Sequence, residues 1–410
     1  MRRWLIGILL TVAVAALAFF ALAPGMLERS TNKIDGKPLL TVSERAKALH
    51  GTLTIVDLHS DTLLWKRNIL DRAERGHMDL PRLEDGNVAL QVLASTTKSP
   101  KGQNYDANGA DTDNITGLVI AQLQPVRTWN SLLERSLWHA EKLHRAVANS
   151  DRGLRTVETT DDIDILLLIR ANGAKAWKGS SGAFRPPVGA MLSIEGLHGL
   201  EGKLANLDKL YAAGFRMAGL THFFDNDLAG SMHGLKKGGL TPIGRQVVET
   251  MEAKGMIVDI AHCSNACVAD ILKIARRPVV SSHGGVQATC KVNRNLSDEQ
   301  IKGVAATGGL IGIGYWDAAV CDTSPASIAK AMKHVRDLVG IQYVALGSDY
   351  DGATTVRFDT SKLAQVTQAL IDAGFSDDEI RAAMGGNAVR VLKAGLVPLT
   401  PPPPAITAAP

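Results

Sequence analysis

The chain has 410 residues, 45% of them hydrophobic, and 45 basic against 41 acidic side chains leave a formal net charge of +4. That length and apolar content allow one large domain with a sizeable core, and a single α/β barrel takes roughly 250 residues or more. The near balance of charge, without a long basic run or basic residues interleaved with aromatics, gives no reason to expect a nucleic-acid partner.

At the N-terminus, Met1-Arg2-Arg3 precedes an uncharged apolar stretch from Trp4 to about Ala23. A positive start followed by an apolar segment is the pattern of an export signal. The segment approaches the ~20 residues that span a bilayer. Ala21-Leu22-Ala23 resembles a small-x-small cleavage site, but Pro24 directly after it counts against cleavage. Residues 1–27 therefore read as a signal peptide or N-terminal membrane anchor, 28–45 as a linker, and 46–396 as the folded body. The positive-inside rule places that body outside the cytoplasm.

Eight short apolar runs follow, at 54–58, 88–93, 188–194, 215–220, 256–261, 278–282, 310–315 and 343–347. Continuous rather than alternating runs are what strands buried on both faces of a parallel sheet look like. Helical patterns between them carry start and stop signals. Thr241-Pro242 and Ser324-Pro325 supply an N-cap followed by proline, with Gly255 and Gly340 closing those helices. Ser297 with Gln300, and Ser376 with Glu379, fit capping boxes. Eight strands alternating with helices predict a (β/α)8 TIM-type barrel. A doubly wound sheet is the second choice, since no glycine-rich phosphate loop follows the first strand. The polar segments 96–117 and 224–239 follow strands and are expected over the barrel mouth. The proline-rich tail, 397–410, has too little apolar content to pack and is expected to be disordered.

In a barrel, residues at the carboxyl ends of the strands converge on one mouth. His59 and Asp61 follow the first run, Glu195 the third, His222 the fourth, His262 the fifth, His283 the sixth and Asp349 the eighth. Any one of them alone has a plain explanation as a hydrogen-bonded histidine or a helix cap. That all fall at strand ends makes coincidence a poor account of the set. Histidines with two or three carboxylates suit zinc or a similar divalent ion, and a carboxylate such as Glu195 is the natural bridge between two. His50, His77, His139, His144 and His334 read as surface or packing residues, while His198 and His233 lie on loops over the mouth as candidate supports for the ligands. Cys263 and Cys267 sit one helical turn apart near Ser264, either as two small buried side chains or as a bridge.

The motifs DLHSD, SIEGLHGL, GLTHFFDND, GLTPIGRQVVETMEAKGMIVDIAHCS, PVVSSHGG, NRNLSDEQI, GSDYDG and GGNAVRVL resemble the membrane dipeptidase (renal dipeptidase) family of zinc peptidases over most of the chain. The resemblance implies a metal-dependent, amidohydrolase-like barrel that hydrolyses dipeptides by a metal-bound hydroxide. It also implies two Zn2+ ions, with His59 and Asp61 on the first, His262 and His283 on the second and Glu195 bridging. It makes His222 the stabiliser of the tetrahedral oxyanion, Arg294 the holder of the substrate, and Asp349 the group that meets the substrate amine or moves a proton. A C-terminal D-residue in the substrate is a further implication. The family's bridge just after His222 is absent, since Phe223 and Phe224 stand there, whereas Cys290 and Cys321 fall near the positions of another. The resemblance suggests a bacterial member, periplasmic or anchored to the inner membrane. Its alternatives are another binuclear-metal hydrolase acting on an N-acyl amino acid, lactone or phosphoester, and an inactive peptide-binding barrel. The sequence leaves open whether the chain forms a homodimer.

Overall fold

The computed structural model describes residues 2–176 and 185–399. Eight parallel strands form a ring: β1 (Ile55–Asp57), β2 (Val88–Thr96), β3 (Val188–Glu195), β4 (Phe215–Gly219), β5 (Ile257–Asp259), β6 (Val280–Ser281), β7 (Leu310–Ile313) and β8 (Val344–Leu346). Each pairs with the next, and β8 returns to β1 through Leu346 and Asp57, which closes a (β/α)8 barrel. Every one of the eight apolar runs supplies one strand. The reason is burial on both faces: β2 and β3 are buried at every position, inward against the barrel interior and outward against the helices. The β2–β3 register runs without a break from Leu90 opposite Gly189 to Thr96 opposite Glu195, so the two strands end level at the mouth.

The helix signals operate as the sequence suggests. Thr241 caps Pro242–Lys254 and Ser324 caps Pro325–Val339, while both capping boxes, on Ser297 and Ser376, are formed in full. Each capping side chain accepts a backbone N–H that the helix itself cannot satisfy. A short additional strand, Leu154–Thr156, pairs in parallel with Val188–Ala190 at the start of β3. With three residues and only one of them buried, it carries too little apolar pattern to be read from sequence.

The N-terminal apolar stretch lies in one helix, Arg2–Thr31, which is long and apolar enough to cross a membrane. The helix does not stop at residue 27, and the stretch 28–45 is not a free linker. Glu28 and Asn32 are buried, Lys33–Ile34 pairs in parallel with Thr355–Val356, and Gln365 and Gln368 accept the backbone N–H groups of Leu40 and Ser43. Polar side chains on the body supply partners that a linker reading, made from composition, does not anticipate. Of the tail 397–410, residues 400–410 lie outside the described residues.

Candidate metal centre

The seven strand-end residues converge on one buried site. His59 and Asp61 follow β1, Glu195 ends β3, and His222, His262, His283 and Asp349 lie two or three residues beyond β4, β5, β6 and β8. Gly196 lets the chain turn at once after Glu195: its φ is 91°, and a Cβ there would meet the His198 ring at 2.5 Å. His262 and Asp349 hold positive φ of 66° and 59° without being glycine. Such strained backbone persists only where its surroundings impose it, and it clusters at functional sites.

Glu195 is the hub. Its Oε1 lies 2.9 Å from His262 Nε2, 3.2 Å from His283 Nε2 and 3.6 Å from His59 Nε2, and its Oε2 lies 3.4 Å from His222 Nε2. His59 Nε2 is in turn 3.5 Å from Asp61 Oδ2 and 3.9 Å from Asp349 Oδ1. The Thr96 hydroxyl reaches both Asp61, at 2.6 Å, and Glu195, at 2.7 Å, which the level ends of β2 and β3 make possible.

The donor set fits divalent-metal binding. His262 Nε2 and His283 Nε2 face each other at 3.0 Å, a separation typical of two nitrogens bound ~2.0–2.1 Å from one ion. Both ring nitrogens of His59 and Nδ1 of His262 are buried without a hydrogen-bond partner. A buried imidazole in that position is costly unless something binds it. Two triads that share Glu195, His59–Asp61–Glu195 and Glu195–His262–His283, each bring their ligand atoms within 4.8 Å of one another; His59, His283 and Asp349 form a third.

The electrostatics agree. Burial opposes charge on His59, but Glu195, Asp61 and Asp349 around it raise its pKa to about 10. Burial, against the pull of His59 and with Asp61 and Glu195 adding to it, pushes the Asp349 carboxyl well above its ordinary value. Burial would raise Glu195 too, yet His222 and His59 hold it well below. A concentration of carboxylates that protonates a histidine so strongly is a site that a divalent cation would neutralise, in competition with the proton.

Residues behind the candidate ligands fix them. Ser282 Oγ lies 2.8 Å from His283 Nδ1 and donates at 2.5 Å to Asp259, whose other oxygen accepts the N–H groups of Ala261 and Ser282. Asp57 accepts from the N–H groups of His59 and Ser348 in the same way. His222 is set by Lys98, whose carbonyl lies 3.2 Å from Nδ1.

A cavity of about 510 Å³ opens onto the site. Arg294 lies on its wall, buried, donating to the His283 carbonyl at 2.9 Å with its guanidinium 5.6 Å from the Trp316 ring. Cys290 and Cys321 are joined in a disulfide that ties the Arg294 loop to the segment after β7. Cys263 and Cys267 are buried and unbonded, with sulfurs 2.6 Å apart.

The loop 96–117 reaches the cavity through Ser99, Gln103, Tyr105 and Asn114. Arg135 stitches it down, donating to Thr97 O and Asp113 at 2.7 Å each. His198 and His233 hold these loops rather than the ligands, with contacts to the Thr97 hydroxyl and the Tyr105 carbonyl.

Sequence reading missed Thr96, Asp57, Asp259, Tyr105 and Trp316. A signal existed for the two aspartates, since Asp57 and Asp259 each stand two or three residues before a ligand inside an apolar run. None existed for Thr96, whose value depends on strand register.

A closed parallel barrel with buried imidazoles and carboxylates gathered at its mouth belongs to the metal-site (β/α)8 barrels. Residues 43–396 match the membrane dipeptidase family (peptidase family M19), and the chain belongs to that family. It is 34% identical over 215 residues to Dipeptidase aclJ of Aspergillus oryzae, which covers 50% of this chain and 51% of that protein. The chain thus matches about half the length of that relative. Among solved structures it is similar to the probable dipeptidase PvdM of Pseudomonas aeruginosa, with a TM-score of 0.70 and 20% identity over 86% of this chain and 98% of that one. It is likewise similar to a metallo peptidase of Rhodobacter sphaeroides liganded with a phosphinate mimic of the dipeptide L-Ala-D-Ala. There the TM-score is 0.66 and the identity 20%, over 84% of this chain and 99% of that one. At these identities the two structures establish a shared fold.

Proposed function

We propose that the protein is a zinc-dependent dipeptidase with two ions per chain. His59 and Asp61 would hold one, His262 and His283 the other, and Glu195 would bridge them. The observation that carries this reading is the arrangement of two donor triads around the single carboxylate of Glu195. Ions held by these residues would supply Lewis acidity, which would activate water and polarise the scissile carbonyl.

The chain's own residues supply the rest. Arg294, a buried guanidinium on the cavity wall, pairs with the terminal carboxylate of the substrate, whose planar geometry matches it. His222 lines the cavity, its ring set by the Lys98 carbonyl, and stabilises the oxyanion. Asp349 carries a proton to the leaving amine. A cavity of about 510 Å³ suits a dipeptide better than a long peptide, and one bounded by a fixed carboxylate partner reads chain length. The relative crystallised with a phosphinate mimic of L-Ala-D-Ala makes a D-residue on the C-terminal side a substrate to test first.

The helix Arg2–Thr31, with apolar side chains such as Trp4, Leu9 and Leu17 more than 60% exposed, supports retention at a membrane with the barrel on the extracytoplasmic side.

The test is hydrolysis of a panel of dipeptides and tripeptides, L-Ala-D-Ala among them, before chelation, after it and with zinc restored. Zinc-restored cleavage of dipeptides alone is the expected result. A metal-loaded protein inert toward all of them would point instead to another binuclear-metal hydrolase.

A further inference from the structure

The N-terminal helix reaches the cavity. Leu27 and Thr31, on its last two turns, line the same space as Asp61, Glu195 and Asp349. We infer that residues 24–31 are a fixed wall of the substrate pocket, and that Leu27 and Thr31 select the side chain of the dipeptide. The inference rests on the dipeptidase reading for its substrate and on packing alone for the wall.

Three independent attachments fix the wall. The first is Glu28, buried to 1% exposure, whose two oxygens accept from Arg67 Nε at 2.6 Å and Arg75 Nε at 2.7 Å. A carboxylate buried so deeply is strongly unfavourable unless it is paired, so this turn of helix has one seat on the body. Arg67 also binds Asp351, two residues beyond Asp349. A single guanidinium therefore joins the N-terminal helix to the loop that carries a site residue.

The second attachment is Asn32, whose Oδ1 accepts from Ala353 N at 2.8 Å. The third is the Lys33–Ile34 pairing with Thr355–Val356, extended by Lys33 N to Thr354 O at 3.1 Å. Ala353 and Thr354 line the cavity beside Leu27 and Thr31. The helix end and the loop after β8 thus form one continuous surface.

What that surface selects follows from its neighbours. Leu64, Trp65, Ile115 and Leu118 line the cavity and pack together as one apolar cluster. Leu27 lines the same cavity from the helix. The Thr31 hydroxyl is already bonded to the carbonyls of Leu27 and Glu28, and offers the substrate no free donor. A subsite so built takes an apolar side chain, and Leu27 at its lip limits the size.

The experiment uses the full chain in detergent. Leu27→Trp should lower kcat/KM for dipeptides with a large apolar residue about tenfold or more relative to Ala-Ala, the scale on which pocket volume discriminates. Leu27→Ala should shift the ratio the opposite way, and Leu17→Trp, on the exposed part of the helix, should leave it unchanged. Glu28→Gln should raise KM for the bulky dipeptides with kcat held, the mark of a positioning residue. A double variant, Leu27→Cys with Asn114→Cys, both exposed and on the cavity wall, should be joined by a short bis-maleimide, since the other unpaired cysteines are buried. No cross-link overturns the wall; a cross-link with unchanged selectivity in both Leu27 variants overturns its role in selection. A double-cysteine chain that cross-links, beside a wild-type chain that cleaves no dipeptide, overturns the dipeptidase reading and leaves the wall standing.

Discussion

Glu195 Oε1 and His262 Nε2 lie 2.9 Å apart, although 67 residues separate them in sequence and the strands that carry them are not neighbours in the barrel. The contact spans β4, and it exists because the mouth of a closed barrel is narrow enough for side chains from alternate strands to meet. Each of the site's properties follows from that convergence on one carboxylate.

Replacing the hub by a neutral isostere tests it directly. Glu195→Gln should keep the fold, reduce bound metal measured by elemental analysis, and lower kcat by on the order of 10²–10³. Full metal content with wild-type turnover would mean that Glu195 bridges nothing.

Behind the ligands, Ser282 connects Asp259 to His283. Loss of such a supporting hydroxyl typically weakens metal binding ~10–100-fold. Ser282→Ala should show this in competition with a chelator of known affinity, with little change in thermal stability of the metal-loaded protein.

Arg294→Lys keeps the charge but not the planar fork. Hydrogen bonds to charged groups contribute about 1.5–3 kcal/mol, so KM for dipeptides should rise ~10–100-fold, and kcat should fall less. Equal losses in both would place Arg294 in the chemical step rather than in binding.

His139 is buried on the helix Leu132–Asn149 against Ser95. Burial, with Lys142 and Arg135 nearby, lowers its pKa from 6.5 to about 3. The folded protein therefore refuses a proton that the unfolded chain accepts, and stability falls as pH drops from 6.5 toward 3. At pH 5 the loss from this residue is about 2 kcal/mol. Urea unfolding of wild type and His139→Gln at pH 7.5 and 5 should show the smaller acid loss in the variant; parallel losses would assign the effect elsewhere.

The disulfide Cys290–Cys321 closes a loop of 31 residues. Loop-closure entropy assigns it ~3–4 kcal/mol. The Cys290→Ser, Cys321→Ser double variant should lose about that much stability and, because the loop holds Arg294, also bind dipeptides more weakly. An unchanged unfolding midpoint would show the bridge to be dispensable.

The amino-acid sequence by itself determined the strands, the caps and the identity of the seven converging residues. Those features are local: continuous apolar runs mark strands buried on both faces, Ser or Thr before proline marks a helix start, and a His or Asp just past a strand end marks the barrel mouth. Thr96 shows the limit, for its bridge between Asp61 and Glu195 exists only through the pairing of β2 with β3. The stretch 28–45 shows it again. Its composition reads as a linker, while Glu28, Asn32 and Lys33 find partners in Arg67, Ala353 and Thr354, residues whose proximity no spacing in the chain reveals. The tertiary structure alone decided which buried charges are paired, and pairing is what separates a linker from a wall, because a buried charge is tolerated only where its counter-charge is in place.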